Sequence, residues 1–363
     1  MTLATLPPKI ATPNDERKLS RWAQHRFLRE HSIREGGRKC MNALGHGTRP
    51  SIAVGPSGES HKGGVMRCSS LSCPVCGPVI RARRNTEIDL LLSRALNEGA
   101  LVYFLTVTLQ HKLGDQLKDI WAMMQGAYSK AWGGRGPKAA GYLGQVRVIE
   151  TTYGGNGFHP HIHAAIVFAP GTPEWRAEGL LTAAGVTYRQ GVAAAGGHVT
   201  KGRAGWHVEA CRSVSSVVSY LVKIEGRAKG DAGLAMELTR GDLKRASVAL
   251  GRGLSQFELL ELATAGDTNC ARLFSVYERA AYRRQLISIG AGLRERYGVE
   301  VVTDEEAAVE AIQAEPVAVY VFTPKRWNGL ARAGRIGQVE VMLFWHHQHG
   351  YLLPDWLRRC RVA

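Results

Sequence analysis

An α+β fold, with a central antiparallel sheet flanked by helices, is what three features of this sequence predict. Two runs of alternating apolar residues, Val146–Tyr153 and Phe158–Phe168, are joined by Gly154-Gly155-Asn156-Gly157, a strong hairpin signal. A third β-rich run, Leu101–Leu109, lies upstream, and stretches of helical period lie on both sides. Four cysteines within residues 40–76 mark a small segment with its own logic ahead of the sheet. The 363 residues divide accordingly into a basic segment 1–36, a Cys-rich segment with a basic helix 37–98, a sheet-bearing domain 99–230, a helical region 231–297 and a C-terminal region 298–363 that no motif identifies.

The composition bounds the class. With 45% hydrophobic and 21% charged residues the chain is globular in character. Its 47 Lys and Arg against 31 Asp and Glu leave a formal net charge of +16, a balance that favours nucleic acid or another polyanion as partner. No run of eighteen apolar residues occurs, so no membrane span is expected. The first nine residues lack the apolar core of a signal peptide. Seven cysteines, an odd number, fit a reducing compartment, the cytoplasm, better than a disulfide framework.

Taken in order, the first helix is expected over Asp15–Glu30, with Arg17, Lys18, Arg21, Arg26 and Arg29 making it basic. Cys73-Pro74-Val75-Cys76 is a CxxC knuckle, with Cys68 five residues before it and Cys40 far upstream. Four thiolates close a tetrahedral Zn²⁺ site, with His61 an alternative to one cysteine. A redox CxxC is the rival, but no βαβ unit surrounds it. The Gly45–Gly64 stretch has little core of its own, which a metal clip would explain. A helix over about Pro78–Glu98 follows, burying Ile80, Ile88, Leu91, Leu92 and Leu96. Its Arg81, Arg83, Arg84 and Arg94 would suit a duplex-reading element.

In the Leu101–Leu109 strand Thr106 and Thr108 share a face, and His111 follows at its end. A helix over about Leu113–Trp132 leads to the hairpin. There His159, His161 and His163 lie on one face of their strand, and Ile162, Ala164, Ile166 and Phe168 on the other. A turn centred between Gly155 and Asn156 sets Glu150 opposite His161, Thr152 opposite His159 and Val148 opposite His163. A carboxylate and two imidazoles on adjacent strands suit a divalent metal with open coordination positions, which is catalytic rather than structural in kind.

Residues 170–205 lose pattern apart from a short amphipathic stretch at Glu174–Leu181. His207-Val208-Glu209 returns as a strand that can add groups to the site. Ser213–Lys223 reads as a helix with Val214, Val217, Val218 and Leu221 as its buried stripe and Ser216, Tyr220 and Lys223 on another face. Ser255–Tyr297 reads as helical, with Cys270 as a buried thiol. Val317–Phe322 reads as a strand, and His346, His347 and His349 as surface groups. No phosphate-binding loop and no repeat is present.

Three of these stretches resemble the motifs of rolling-circle replication initiators of the HUH endonuclease superfamily. Phe104-Leu105-Thr106-Val107-Thr108 is similar to their first motif, His159-Pro160-His161-Ile162-His163 to the HUH motif, and Tyr220-Leu221-Val222-Lys223 to the Tyr-x-x-Lys motif. Tyr277–Arg284 and Gly292–Arg294 are similar, more softly, to the stretch that follows the nuclease domain in actinobacterial plasmid initiators. The resemblance implies an HUH-type nuclease domain that nicks single-stranded origin DNA. Glu150, His161 and His163 would hold Mg²⁺ or Mn²⁺, Tyr220 would be the nucleophile, and Lys223 would assist it. A covalent 5′-phosphotyrosine link, a free 3′-OH, strand rejoining, and a host helicase and polymerase as further partners are implied with it. The chain departs from the family at Ser216, where some initiators carry a glutamate that activates water at termination; termination would use another group, such as Glu225 or one from a second subunit, or differ in kind. Two other readings stay open: an HUH transposase acting on transposon ends, and a zinc-containing regulator that binds duplex without cutting.

Overall fold

In a computed structural model the chain is described over residues 13–45, 47–56, 59–200, 205–211, 253–309 and 315–362. It divides into two units, each built from separated stretches. Unit 1 comprises Met1–Ile80, Leu259–Glu278 and Val302–Ala363; unit 2 comprises Arg81–Glu258 and Arg279–Val301.

Unit 1 carries strands β1 (Ser51–Val54) and β2 (Ser60–Gly63) and helix α1 (Pro13–His31). Ile52 and Val54 on β1 are buried, so the Gly45–Gly64 stretch does own part of a core. The reason lies far along the chain. Strand β9 (Ala318–Val321) pairs antiparallel with β1, Ile52 opposite Tyr320, in a four-stranded sheet of order β10-β9-β1-β2, where β10 is Arg361–Val362. Tyr320, Phe322 and Trp327 fill the core beneath it. At its heart Glu340 accepts hydrogen bonds from Trp22 Nε1 (2.6 Å) and Ser60 Oγ (2.6 Å) and pairs with Lys62 Nζ at 2.5 Å, both charged side chains buried. His346, His347 and His349 sit on the helix Ile336–His349, His347 hydrogen-bonded to Tyr320 and His349 stacked on Trp345.

Unit 2 is built on an antiparallel sheet of order β6-β3-β5-β4-β7, with β8 pairing the other half of β4. Its strands are β3 (Leu101–Val107), β4 (Tyr142–Gly154), β5 (Gly157–Phe168), β6 (Trp206–Cys211), β7 (Leu254–Ser255) and β8 (Ile287–Ile289). The helix Cys76–Asn97 precedes it, one or two residues from its expected bounds. Its arginines are occupied within unit 2. Arg84 is buried against Glu87, Arg81 is buried, Arg83 approaches Glu87 and Glu300, and Arg94 donates to the carbonyls of Tyr297 and Gly298. Arg83 and Arg94 stay exposed, so two of the four arginines expected of a duplex-reading helix lie at the surface.

Helices Leu117–Ala131 and Glu174–Ala194 cover the Ile162/Ala164/Ile166 face of the sheet. Trp121 Nε1 donates to Thr151 Oγ1 (3.1 Å), and Tyr188 donates to the Thr108 carbonyl (3.2 Å). The 21-residue helix at Glu174–Ala194 replaces the short stretch expected there. Its alanines favour the helix, and two of its three glycines, Gly185 and Gly191, serve packing. A Cβ on Gly185 would meet Trp206 at 3.0 Å, and one on Gly191 would meet Ala127 at 3.0 Å. Residues 255–297 are likewise not all helical: Ile287–Ile289 forms β8, with Ile289 opposite Val146.

Candidate metal centres

Two sets of metal-type donors stand out, one in each unit. In unit 1 the Sγ atoms of Cys40, Cys68, Cys73 and Cys76 all lie within 4.8 Å of one another. Cys40 Sγ is 3.9 Å from Cys73 Sγ and 3.6 Å from Cys76 Sγ. A tetrahedron of sulfurs about 2.3 Å from Zn²⁺ has edges of about 3.8 Å, whereas a disulfide brings sulfurs to about 2.05 Å. The separations therefore fit a shared metal and not a disulfide, and all four are free thiols. The knuckle is preformed: the Cys76 N–H points at Cys73 Sγ (3.4 Å) and the Gly77 N–H donates to the Cys73 carbonyl. Hydrogen bonds from Cys40, Cys68 and Cys73 hold the Cys76 thiol below its ordinary range, while burial pushes Cys73 up. Arg29 donates to the Cys40 carbonyl and to Asn42 Oδ1. His61, on β2 opposite Ala53, is not among the converging donors.

In unit 2 the hairpin register is the one its turn requires. Glu150 is opposite His161, Thr152 opposite His159 and Val148 opposite His163. β3 and β6 extend the same face. Thr106 stands between His163 on β5 and His207 on β6, and Phe104 pairs with Ala165 and Glu209. Glu150 and His163 are in contact, Oε2 to Nε2 3.2 Å, with side chains 16% and 11% exposed. Two neighbouring ligands on an octahedral Mg²⁺ with bonds of about 2.1 Å lie about 3 Å apart, so this pair fits one ion. Thr106 Oγ1 lies 3.2 Å from His163 Nδ1 and orients the ring from the far side, as outer-shell partners of metal-binding histidines do. The His161 ring stacks parallel to that of His163 with centroids 5.7 Å apart. Among the described residues only the four cysteines place three or more donors within 4.8 Å, so Glu150, His161 and His163 share a face without converging as tightly.

Other groups on this face had weaker sequence signals. His207 Nε2 and Glu209 Oε1 are 3.3 Å apart. His111 reaches His159: the His111 Nδ1 meets the Asn156 carbonyl (3.0 Å), and its Nε2 meets His159 Nδ1. Burial, with the neighbouring His111 charge, holds His159 below the ordinary imidazole range. The His111–His159 contact joins residues 48 apart in the chain, and no spacing rule shows it. Tyr220, Lys223, Ser216 and Glu225 lie outside the described residues. Of the two tyrosines further along the chain at 277 and 282, Tyr277 is buried and Tyr282 is 45% exposed.

The protein is thus of α+β class, with an antiparallel sheet flanked by helices and a cluster of four cysteines that could hold a metal. Sequence comparison is more particular. Over 358 residues the chain is 28% identical to a protein of Streptomyces lividans named Protein rep, spanning 77% of this chain and 76% of the relative. Over 149 residues it is 30% identical to a Neomycin resistance protein of Streptomyces cyanogenus, spanning 33% of this chain and 34% of that protein. No family model and no solved structure matches. The chain is thus similar to a Rep protein over most of its length. Among the described residues no helix is long and apolar enough to cross a membrane.

Proposed function

We propose that this protein is a rolling-circle replication initiator of the HUH type that nicks single-stranded origin DNA in a bacterial cytoplasm and rejoins it at termination. The observation that carries the reading is Glu150 opposite His161 and in contact with His163, beside Thr106, in a chain similar to a Rep protein. The net charge of +16 supports a polyanionic substrate.

Glu150, His161 and His163 would hold Mg²⁺ or Mn²⁺, which when bound polarises the scissile phosphate and neutralises charge on its oxygens. Thr106 keeps the His163 ring in the orientation that turns Nε2 towards Glu150. The Tyr220 phenol oxygen attacks phosphorus. A Tyr–O–P bond forms as the P–O3′ bond breaks, and the electron pair leaves with the 3′ oxygen, which takes a proton. An unperturbed tyrosine has a pKa of about 10, so the phenol needs help to ionise at neutral pH. Lys223, three residues after Tyr220 in the sequence, would favour the phenolate. One phosphodiester is exchanged for another, so the free 3′-OH can prime synthesis and the link can later be reversed. Cys40, Cys68, Cys73 and Cys76 would hold a structural Zn²⁺ in unit 1.

The test is a denaturing gel of full-length protein with labelled single-stranded origin DNA and Mn²⁺, wild type beside Tyr220→Phe. A covalent adduct in wild type alone is the expected result. An adduct that survives in Tyr220→Phe moves the nucleophile, with exposed Tyr282 next. Duplex binding without nicking favours the regulator, and cleavage confined to transposon ends favours the transposase.

A further inference from the structure

Two strands away from His163, the same face of the unit 2 sheet carries a second His–Glu pair that the nicking chemistry does not use. β6 stands at one end of the sheet order, paired with β3. Its side chains alternate between two environments. Trp206 is buried against Tyr188 of the covering helix, and Val208 lies opposite Leu105 on that same side. His207 and Glu209 lie on the other side, the one that holds His163, because Thr106 is opposite both His163 and His207. His207 Nε2 and Glu209 Oε1 are 3.3 Å apart, with side chains 21% and 38% exposed. An ionised carboxylate only accepts, so the nitrogen facing it carries the hydrogen and fixes one carboxylate oxygen. The second oxygen, and the lone pairs left on the first, remain for a ligand.

Two strand spacings put β6 roughly 10 Å from β5, too far for this pair to share an ion with His163. That is the place of a nucleotide beside the one whose phosphate is cut. A carboxylate there repels any phosphate brought near it, in a chain whose net charge of +16 otherwise suits a polyanion. The row of the sheet through Glu209 continues in Phe104, Ala165 and Val146, so Glu209 is its one charged member. Such a row suits a base and not the sugar–phosphate backbone. Carboxylates accept from base N–H groups, and in single strands the Watson–Crick edges are free to be read. Guanine presents two donors side by side there, N1–H and N2–H, which match the two oxygens of one carboxylate. Thymine presents a single N–H between two carbonyl oxygens that the carboxylate repels. We propose that Glu209, held in place by His207, reads a guanine in the bound single strand and so sets the position of the strand over the sheet. Glu209 touches the base, and His207 is a positioning residue.

Guanine reading rests on the proposed role of this face in binding single-stranded DNA, but not on nicking, and binding alone tests it. Full-length protein, without added Mg²⁺ or Mn²⁺, is titrated into labelled oligothymidylate, into the same strand with one central guanine, and into the same strand with hypoxanthine there, which lacks the N2 amino group. Fluorescence anisotropy at one fixed salt concentration gives the three affinities. Wild type should bind the guanine strand on the order of tenfold more tightly than oligothymidylate, with the hypoxanthine strand between them. Glu209→Gln, which keeps the size and removes the charge, should bind all three strands alike. His207→Gln should shrink the guanine preference without abolishing it. No guanine preference in wild type, or one that survives Glu209→Gln, would overturn the assignment. So would an equal loss on all three strands in both variants, which would make the pair part of the sheet's structure. The adduct gel scores nicking separately, so failure of the nicking chemistry and failure of guanine reading give different results.

Discussion

In the cysteine cluster four donors arrive from different stretches of unit 1 and meet within 4.8 Å, three of them buried. On the histidine face the donors stand in rows along strands, and only Glu150 and His163 touch. The first arrangement could saturate an ion and leave nothing for a substrate, and the free energy of binding would then go into folding. On the proposed reading the second would hold an ion by part of its shell and leave positions open. A loop-built site can close around its metal because its backbone is free to turn. A sheet-built site cannot, because neighbouring strands are held about 4.8 Å apart.

The comparison can be broken or sharpened by removing donors from each side. The largest effect is expected from Cys73→Ser or a chelator. Loss of the metal removes a contribution of roughly 10 kcal/mol or more, and unit 1 should lose cooperative unfolding. Zinc content and urea unfolding measured together test this, and a chain that unfolds as before without metal would place the cluster among ornamental thiols.

Next comes Glu340, a second closed set in unit 1. Burial works against its charge, but Lys62, Ser60 and Trp22 outweigh burial and hold its pKa below the ordinary glutamate value. Glu340→Gln should cost about 3–5 kcal/mol, since it leaves Lys62 buried without its counter-charge. Acid should do the same gradually. A carboxylate with a depressed pKa gives up its stabilisation as pH falls from its unfolded towards its folded value. His25 adds to this: burial and nearby Arg29 lower it from 6.5 to about 3, so below pH 6.5 the unfolded chain takes up a proton that the folded chain refuses. Melting curves should fall below pH 6.5 through His25 and more steeply below pH 4.5 through Glu340; a curve flat from pH 6.5 to 4.5 would contradict the first assignment, and no steepening below 4.5 the second.

On the histidine face the effects should appear in chemistry and not in stability. His163→Ala should lower Mn²⁺-dependent adduct formation by more than the roughly 10–100-fold of an outer-shell change, with the melting temperature within a few degrees of wild type. A large drop in stability instead would make His163 a structural residue. The smallest effect is expected from Thr106→Val, which keeps the shape and removes the hydroxyl beside His163 Nδ1. Mn²⁺ affinity should weaken about 10-fold, read by calorimetry, with the maximal nicking rate little changed.

What was legible in the sequence was what local rules control. The four-residue Gly-rich turn sets the hairpin register, so Glu150 opposite His161 followed from counting. The CxxC knuckle with two further cysteines announced the cluster, because thiolates at that spacing have few other uses. What could not be read depends on partners distant in the chain. β6 enters the sheet beside β3 and aligns His207 with Thr106, although about a hundred residues separate them. His111 meets His159 only because the loop crosses Gly157. The Glu174–Ala194 helix was obscured by glycines that weaken local propensity, two of which are chosen for close packing. Tyr220 and Lys223 remain readings of a motif, outside the described residues.

The pairing of β1 with β9 also has a consequence in time. Ile52 leaves the ribosome long before Tyr320, its neighbour in the sheet, and Trp22 precedes Glu340 by 318 residues. At roughly 5–20 residues per second, β1 waits on the order of ten to fifty seconds for its partner strand. The hairpin of unit 2, whose strands follow one another directly, has no such delay. Nascent chains should therefore carry a finished unit 2 hairpin while β1 still offers an open edge, and a message cut short before residue 318 would release protein with that edge exposed for good.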